Sequence, residues 1–450
     1  MNDPLWQSLK SAAPEIAWPP VMRGAGAALE SLAHQLEASQ WLSADELRAR
    51  QDAQLGHVAE YLCEHSGFFR ERLKRAGLSA ASLPGNLSRL PLLSRRDLQR
   101  PDVHCDHAPE EHKPVREART SGSTGEPVVV KRTAISQLFW LAITLREYFW
   151  HERDFRLSYS AIRPTISEYS VQPNWGAPAA ALFETGRSQL IPITADIARI
   201  ADWLGEFAPD VLVIYPNVVS ALIAHLRKSG RTLPSVKLIR SISETLSDER
   251  RAQAASFFGA RVVDNYSSQE AGVIAVQCPE ADGYHIMGES LIVEVIGEGG
   301  EPCAEGQTGR VVLTDLHNFA TPLVRYDIGD YAEMGGACSC GRGLAVLRRI
   351  LGRERNLILM PDGSRHWPLV GFARFRDVAP VVQYQLIQTG REAIEVRLVV
   401  EKPLRASQQG DLENVIREAL GFPFALDFVY FDGSIPPGPR GKFEEFVCKI

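Results

Sequence analysis

The spacing of apolar residues changes several times along the chain, and each change predicts a different kind of structure. Up to about residue 40 the spacing is loose, and AAPEIAWPP carries too much proline to hold one helix. A long helix is predicted from Ser43, where Ser43 and Glu46 make a capping-box spacing and Leu55, Val58 and Leu62 recur at helical intervals. It runs, in one piece or two, toward Leu73. PLLSRRDLQR repeats the helix-start signal at Ser94 and Asp97.

From Asp196 the pattern becomes regular. A helical run to Phe207 leads to the apolar strand VLVI at 211–214, then a helix over about 217–228, the strand KLIRSI, a helix from near Ser247, and the strand RVVDNY. Strands alternating with helices of this length predict parallel βαβ units. Beyond Gly283 the chain turns β-rich with glycine-bearing turns, as in LIVEVIGEGGEP and GRVVLTDL, and RYDIGDYAE places Asp327 and Asp330 around a glycine at a strand edge. ILGRERNLILMPDG is a charged break between two apolar runs. After it, QYQLIQ and IEVRLVV read as strands and 411–420 as a helix, followed by the Pro/Gly-rich PPGPRGKFEEF with Lys442. The predicted fold class is therefore α/β. A large layered domain with βαβ units and a β-rich subdomain spans 1–351, with 1–40 as a leader, and a small α+β domain spans 357–450.

In open α/β sheets ligands gather at the carboxyl ends of the strands. Position alone therefore selects Tyr215, Pro216 and Asn217 after one strand, Ser243 and Glu244 after the next, and Tyr266, Ser267, Gln269 and Glu270 after the third. Any one of these taken alone is more often an ordinary loop residue. A further candidate is TSGSTGEP at 120–127, where Thr120, Ser121, Gly122, Ser123, Thr124 and Gly125 combine glycines that turn backbone N–H groups toward an anion with hydroxyl donors. In isolation it reads first as a surface turn.

Composition narrows the class. The 450 residues suffice for two or three domains, and 45% apolar with 23% charged residues is ordinary for a soluble enzyme. A net charge of -6 argues against a nucleic-acid binder. MNDPLWQSLK is a poor signal peptide, and the most apolar window, 138–144, is far shorter than a membrane span. Seven cysteines in a chain this long predict reduced thiols and a cytoplasmic address, with no membrane partner.

TSGSTGEP, DNYSSQE, RYDIGD, GRERN and GPRGK follow one another in this order. The set resembles the adenylate-forming superfamily of acyl- and aryl-CoA ligases over roughly residues 44–450, most closely its phenylacetate-CoA ligase group and the similar coenzyme F390 synthetase and capsule-biosynthesis proteins. The resemblance implies an AMP-forming ligation: a carboxylate joins the α-phosphate of ATP, pyrophosphate leaves, and a thiol then displaces AMP. It implies that residues 120–125 hold the β- and γ-phosphates and that Ser243, Glu244 and Gln269 also belong to the ATP site. Tyr266 then lies against adenine, Glu270 holds Mg²⁺, Asp330 accepts from the ribose hydroxyls, and Arg353 sits by ribose or phosphate. Lys442 reaches in from a mobile small domain that turns about a hinge at 352–356, and stabilises charge between carboxylate and α-phosphate. Lys442 and Glu270 are the catalytic candidates. The chain departs from the family pattern at Gln269, where Ser or Thr is usual, at Val128 and at Arg355.

The same resemblance implies an acyl pocket built from Trp175, Gly176, Ala177, Tyr215, Asn217 and Ser267. WGAPAA, small and apolar with one aromatic, suits a flat ring, so the expected substrate is a small aromatic carboxylic acid. The thiol is coenzyme A or the phosphopantetheine of an acyl carrier protein. A basic docking face for an acidic carrier would come from Arg95, Arg96 and Arg100 or from Arg70, Arg72 and Lys74, each of which equally suits a solvated helix face. A homodimer accords with the subgroup.

Cys278, His285, Cys338 and Cys340 form a second constellation. Three thiolates and an imidazole suit a closed, structural tetrahedral Zn²⁺ site, although the Cys-x-Cys spacing is tight, and the other reading is reduced cysteines of no special role. A contrasting class is a non-catalytic zinc-bearing binding module in which Gln269 and Arg355 mark a lapsed site. The joint presence of Glu270, Asp330, Arg353 and Lys442 argues against it.

Overall fold

A computed structural model describes residues 9–13, 15, 16, 18–120, 128–353, 356–366, 372–433, 435, 436 and 443–450. Local capping starts its helices where the sequence signals them. The Ser43 hydroxyl accepts from the Glu46 N–H at 3.3 Å and the Glu46 carboxylate accepts from the Ser43 N–H at 2.9 Å, opening the helix Ala44–His65. Ser66 then stops this helix and caps the next, Gly67–Arg75, by accepting from the Phe69 N–H. The run toward Leu73 is thus two helices, and Leu55, Val58, Leu62, Phe69 and Leu73 share one core. Ser94 and Asp97 form a second capping box, but it opens a single turn, Arg95–Leu98.

The architecture is mixed α/β, and the chain divides into two compact units. The first comprises Met1–Ala161, Tyr169–Leu190 and Val263–Ile350. Its β-rich part runs in the order Leu291–Ile296, Thr308–Asp315, Tyr326–Met334, Val346–Arg353, Tyr284–Ile286, Gly272–Gln277 and Arg261–Ser268. Neighbours such as Leu291–Ile296 and Thr308–Asp315 pair antiparallel. The glycine-bearing turns beyond Gly283 are what this meander requires. Its inward side chains, among them Ile274, Leu291, Val311, Leu313 and Leu347, close on Val128 and Val130 from the strand Val128–Thr133. The helix Ala134–Trp150 follows that strand, capped by Thr133, whose hydroxyl accepts from the Ser136 N–H.

The second unit comprises Ile162–Glu168, Ile191–Val262 and Leu351–Ile450. Its βαβ passage matches the sequence pattern closely. Val211–Ile214 is buried at every position and pairs parallel with Leu238–Ser241, and the helix Pro216–Lys228 makes the crossover. Ser247 caps Asp248–Phe258 by accepting from the Arg250 N–H. After residue 351 a four-stranded sheet follows, in the order Ala425–Tyr430, Ala393–Val400, Val381–Gly390, Phe446–Cys448. The helix Ala406–Leu420 buries Leu412, Ile416 and Leu420 in the same core as Leu386, Val396 and Leu398, and ends at Gly421 in the left-handed conformation. Among the described residues no helix is long and apolar enough to cross a membrane.

Candidate active site

In the first unit, the hairpin of Arg261–Ser268 and Gly272–Gln277 slips register between Tyr266 and Ser267. Such an irregularity re-aims side chains at a strand end. The Tyr266 hydroxyl donates to Asp330 Oδ2 at 2.7 Å, and both residues are buried, with 8% and 9% of their surface exposed. Asp330 stands inside the strand Tyr326–Met334 rather than at its edge, next to Gly329 at φ +77°. Asp327 turns back to accept from the Gly329 N–H at 2.9 Å. Glu270, in the hairpin turn, is 8% exposed and faces Arg95 Nη1 at 3.7 Å. Gln269 beside it is exposed, and its carbonyl accepts from Arg132 Nη2 at 2.5 Å. Glu270 fits a divalent cation as a hard oxygen donor held in place, with an arginine that a metal ion can replace as counter-charge.

In the second unit, Tyr215 is buried at the end of Val211–Ile214, and burial raises its phenol pKa while a hydrogen bond with Ser243 opposes the rise. Ser243 stands at φ +67°, where a residue with a Cβ is strained. Glu244 ties two segments together: Oε2 accepts from the Asn217 N–H at 3.1 Å and Oε1 from the Phe443 N–H at 3.3 Å. Phe443 packs with Val399 and Ile435 and lies 5.7 Å from the Arg250 guanidinium, which pairs with Glu445 at 2.9 Å. The residue directly after Lys442 is therefore anchored to Glu244. The Arg353 N–H donates to Asn356 Oδ1 at 2.9 Å, and Asn356 Nδ2 donates to the Phe446 carbonyl at 2.6 Å. Gly352 at φ +106° leaves 3.4 Å between a would-be Cβ and both Thr245 Oγ1 and Asn356 Oδ1, so a glycine suits the expected hinge. Lys442, Arg355 and residues 121–125 lie outside the described residues, while Thr120 ends the strand Val115–Thr120.

The proposed acyl-pocket residues divide between the units. Gly176 and Ala177 are exposed and Ser267 is half-buried in the first; Tyr215 and Asn217 belong to the second. Trp175 departs from the expected role. Its ring packs with Tyr148, Phe155 and Tyr159, and its indole N–H donates to the Leu157 carbonyl at 2.8 Å, so the aromatic ring is committed to the core.

Cys278, His285, Cys338 and Cys340 come together, with ligand atoms all within 4.8 Å of one another. Cys278 Sγ lies 3.8 Å from Cys338 Sγ, and Cys340 Sγ 3.2 Å from His285 Nε2. The His285 Nδ1 lies 3.2 Å from the Leu344 carbonyl, which can accept only an N–H; this directs the Nε2 lone pair at the sulfurs. Burial pushes the Cys278 thiol up to about 11. At Cys340 burial also opposes ionisation, but hydrogen bonds from Arg342, Cys338 and Cys278 outweigh it and hold the thiol below its ordinary value. Three sulfurs and one imidazole nitrogen fit a tetrahedral zinc ion.

Sequence reasoning missed a small cleft beside Glu270, lined also by Arg132, Trp140, Gly272, Asp315 and His317. Of the six residues weighed for a basic docking face, Arg70, Lys74, Arg96 and Arg100 are exposed, while others are engaged within the protein. Arg72 donates to the Pro91 and Val324 carbonyls and burial lowers its pKa to about 10, Arg100 pairs with Asp102 at 2.8 Å, and Arg95 turns to Glu270. A lone arginine in a strand or helix pattern carries no spacing signal that tells an inward from an outward side chain.

The AMP-binding enzyme family matches residues 44–320, more than half of the 450 in the chain. Phenylacetate-coenzyme A ligase of Thermus thermophilus is 26% identical over 387 residues, covering 80% of this chain and 83% of that protein. Its counterpart of Pseudomonas putida is 22% identical over 400 residues, covering 85% and 88%. A crystal structure of 2-hydroxyisobutyryl-CoA ligase in the postadenylation state superposes with TM-score 0.73 at 18% identity, covering 91% of this chain and 90% of that one, a likeness of fold. The chain belongs to the AMP-binding enzyme family of the adenylate-forming superfamily, in its phenylacetate-CoA ligase-like group.

Proposed function

We propose that this protein is an AMP-forming acid–thiol ligase that activates a small carboxylic acid with ATP and passes the acyl group to coenzyme A. The observation that carries the reading is the Tyr266–Asp330 hydrogen bond, which joins two motifs 64 positions apart beside Glu270. In the first half-reaction a carboxylate oxygen attacks the α-phosphorus and the bond to pyrophosphate breaks. In the second, the thiol sulfur attacks the acyl carbon, and AMP leaves with the carboxylate oxygen.

Two anions meet in the first step, so positioning and charge compensation carry the catalysis. Residues 120–125 hold the β- and γ-phosphates; Tyr266 lies against adenine and Asp330 accepts from the ribose hydroxyls, with Arg353, Ser243 and Glu244 completing the nucleotide site. Glu270 holds Mg²⁺, which when bound neutralises phosphate charge. Lys442 stabilises the attacking carboxylate and the α-phosphate, and the anchoring of Phe443 by Glu244 supports that position. The exposed Gln269 amide stands in for the usual hydroxyl as a donor to phosphate.

The candidates for contact with the acid are Gly176, Ala177 and Ser267 in the first unit and Tyr215 and Asn217 in the second, and the small side chains among them suit a flat aromatic ring. Coenzyme A is favoured over a carrier protein because relatives matched over 80% or more of the chain are phenylacetate-coenzyme A ligases. Cys278, His285, Cys338 and Cys340 hold a structural zinc ion, since four protein ligands leave no open position for chemistry. Seven cysteines without a disulfide support a cytoplasmic setting.

ATP–pyrophosphate exchange across a panel of benzoates and arylacetates tests the reading, with Lys442→Ala as control. At least one acid supports exchange, and the substitution lowers its rate by about 10²-fold or more. Undiminished exchange in the variant refutes the role of Lys442. Mass spectrometry of the products with coenzyme A and with a holo carrier protein then identifies the acceptor.

A further inference from the structure

The loop that carries Cys338 and Cys340 is joined to the N-terminal helices through one side chain and one close backbone approach. Arg342, two residues after Cys340, keeps only 8% of its side chain exposed. Its Nε donates to Gln40 Oε1 at 3.0 Å and its Nη1 to Glu280 Oε1 at 3.0 Å. The guanidinium lies 4.6 Å from the Trp150 ring centroid and 5.0 Å from that of Trp41. Gln40 Oε1 also accepts from the Trp150 indole N–H at 2.8 Å, and the Trp150 ring meets that of His285 edge-on at 5.5 Å. The backbone is tied at the same place, where the Gly343 N–H donates to the Gln40 carbonyl at 2.9 Å. A Cβ on Gly343 would lie 1.7 Å from the Leu42 carbonyl oxygen, so this approach requires glycine. Residues 40–42 lie between the helices Gly24–Ser39 and Ala44–His65.

The same loop prepares its sulfurs for a metal ion. Cys278 Sγ accepts from the Glu280 N–H at 3.5 Å, and Cys340 Sγ accepts from both the backbone N–H and the side chain of Arg342. An N–H aimed at sulfur favours the thiolate, which is the form that binds metal. Three thiolates and a neutral imidazole around a divalent ion leave one net negative charge, and burial makes that charge unfavourable unless a cation offsets it. Arg342 stands where the cation is needed. Its other partner, Glu280, is 59% exposed, so water screens that carboxylate.

We infer that the cluster of Cys278, His285, Cys338 and Cys340 is a metal-dependent anchor for the junction of the two N-terminal helices, with Arg342 as the positioning residue that couples them. This rests on the zinc reading above and names what the site holds in place. With the metal bound, the loop 338–343 is fixed, and Arg342 and Gly343 fix residues 40–42 with it. Without the metal, both segments lose their tie together. A second tie does not involve the cluster: Arg146 donates to the Leu36 carbonyl and pairs with Glu289 at 2.7 Å, and Ser39 Oγ donates to Glu289 Oε1 at 2.6 Å. The helix Gly24–Ser39 therefore keeps its seat, and the loosening is confined to the junction.

The test follows hydrogen–deuterium exchange by mass spectrometry in the full chain loaded with zinc and again after chelation with EDTA, with zinc content measured in both samples. Segments 40–43 and 338–343 exchange about 10-fold faster or more once zinc leaves, while 55–62, in the middle of the helix Ala44–His65, is unchanged. Arg342→Met holds zinc about 10- to 100-fold more weakly in competition with a colorimetric chelator, the range for losing a partner behind a metal ligand, and its segment 40–43 exchanges fast even with zinc bound. Trp41→Ala, a change at a half-exposed side chain that the fold tolerates, moves both readouts the same way by a smaller factor. Acceleration confined to 338–343 overturns the anchor and leaves the zinc reading standing, and acceleration spread equally through 55–62 overturns it as well. Zinc affinity and exchange at the wild-type level in both variants remove the role of Arg342. Protein that neither carries nor takes up zinc removes the zinc reading and this inference together.

Discussion

The first unit holds two polar clusters, one buried and one half-buried, that are satisfied in opposite ways. Around Tyr266, Asp330 and Glu270 every charged group meets a protein partner: phenol to carboxylate at 2.7 Å, guanidinium to carboxylate at 3.7 Å. Around Cys278, His285, Cys338 and Cys340, by contrast, four Lewis bases point at one another within 4.8 Å. The first cluster is complete in the protein alone, and under the proposed ligase reading a metal ion takes the place of its arginine. The second, under the zinc reading, gains its charge balance from a cation at its centre, because thiols this close repel once ionised. The proposed reading assigns the first cluster to turnover and the second to permanence.

Glu270→Gln separates them most sharply. It keeps shape and removes a charge, so acid-dependent exchange falls by about 10²- to 10³-fold. The thermal transition moves little, because among the described residues the ion pair of Glu270 is the loose contact with Arg95. A comparable loss of stability without loss of exchange breaks the comparison. Cys340→Ser does the reverse: zinc content measured by inductively coupled plasma mass spectrometry falls from one equivalent to none and the melting temperature drops by about 5–10 °C, the shift expected of several kcal/mol in a chain of this size. Exchange per folded molecule at low temperature stays within about two-fold, since the cluster's atoms serve folding alone. Protein purified without stoichiometric zinc contradicts the permanent role. The smallest effect is that of Tyr266→Phe, which removes one hydrogen bond to Asp330 worth about 1 kcal/mol and raises the KM for ATP by roughly five-fold, measured in steady-state exchange.

How far the sequence reached depended on whether a signal was local. The caps at Ser43, Ser94 and Ser247 were legible because a hydroxyl and the N–H groups one turn later are neighbours in sequence. The strands 211–214 and 238–241 were legible from their apolar runs, and their ends marked Tyr215, Ser243 and Glu244. The partners of those residues were not. That Glu244 accepts from both Asn217 and Phe443, 199 positions apart in the second case, follows from the fold of the second unit and leaves no spacing to read. Arg132, Asp315 and His317 escaped for the same reason, each plain within its own strand or turn. Trp175 and Arg72 were misjudged because the sequence shows what a side chain is but not which way it faces. The gathering of the four cysteine and histidine ligands was foreseen, although 60 positions separate Cys278 from Cys338, because soft ligands this rare carry meaning even without regular spacing.

The central claim is that a carboxylate oxygen attacks the α-phosphorus of ATP. The most direct test supplies a turned-over acid labelled with heavy oxygen in its carboxyl group, together with ATP and coenzyme A, and reads the nucleotide product by mass spectrometry. The account predicts AMP carrying one heavy oxygen, with unlabelled pyrophosphate and an acyl thioester. Heavy oxygen in inorganic phosphate, with ADP as the nucleotide product, contradicts it.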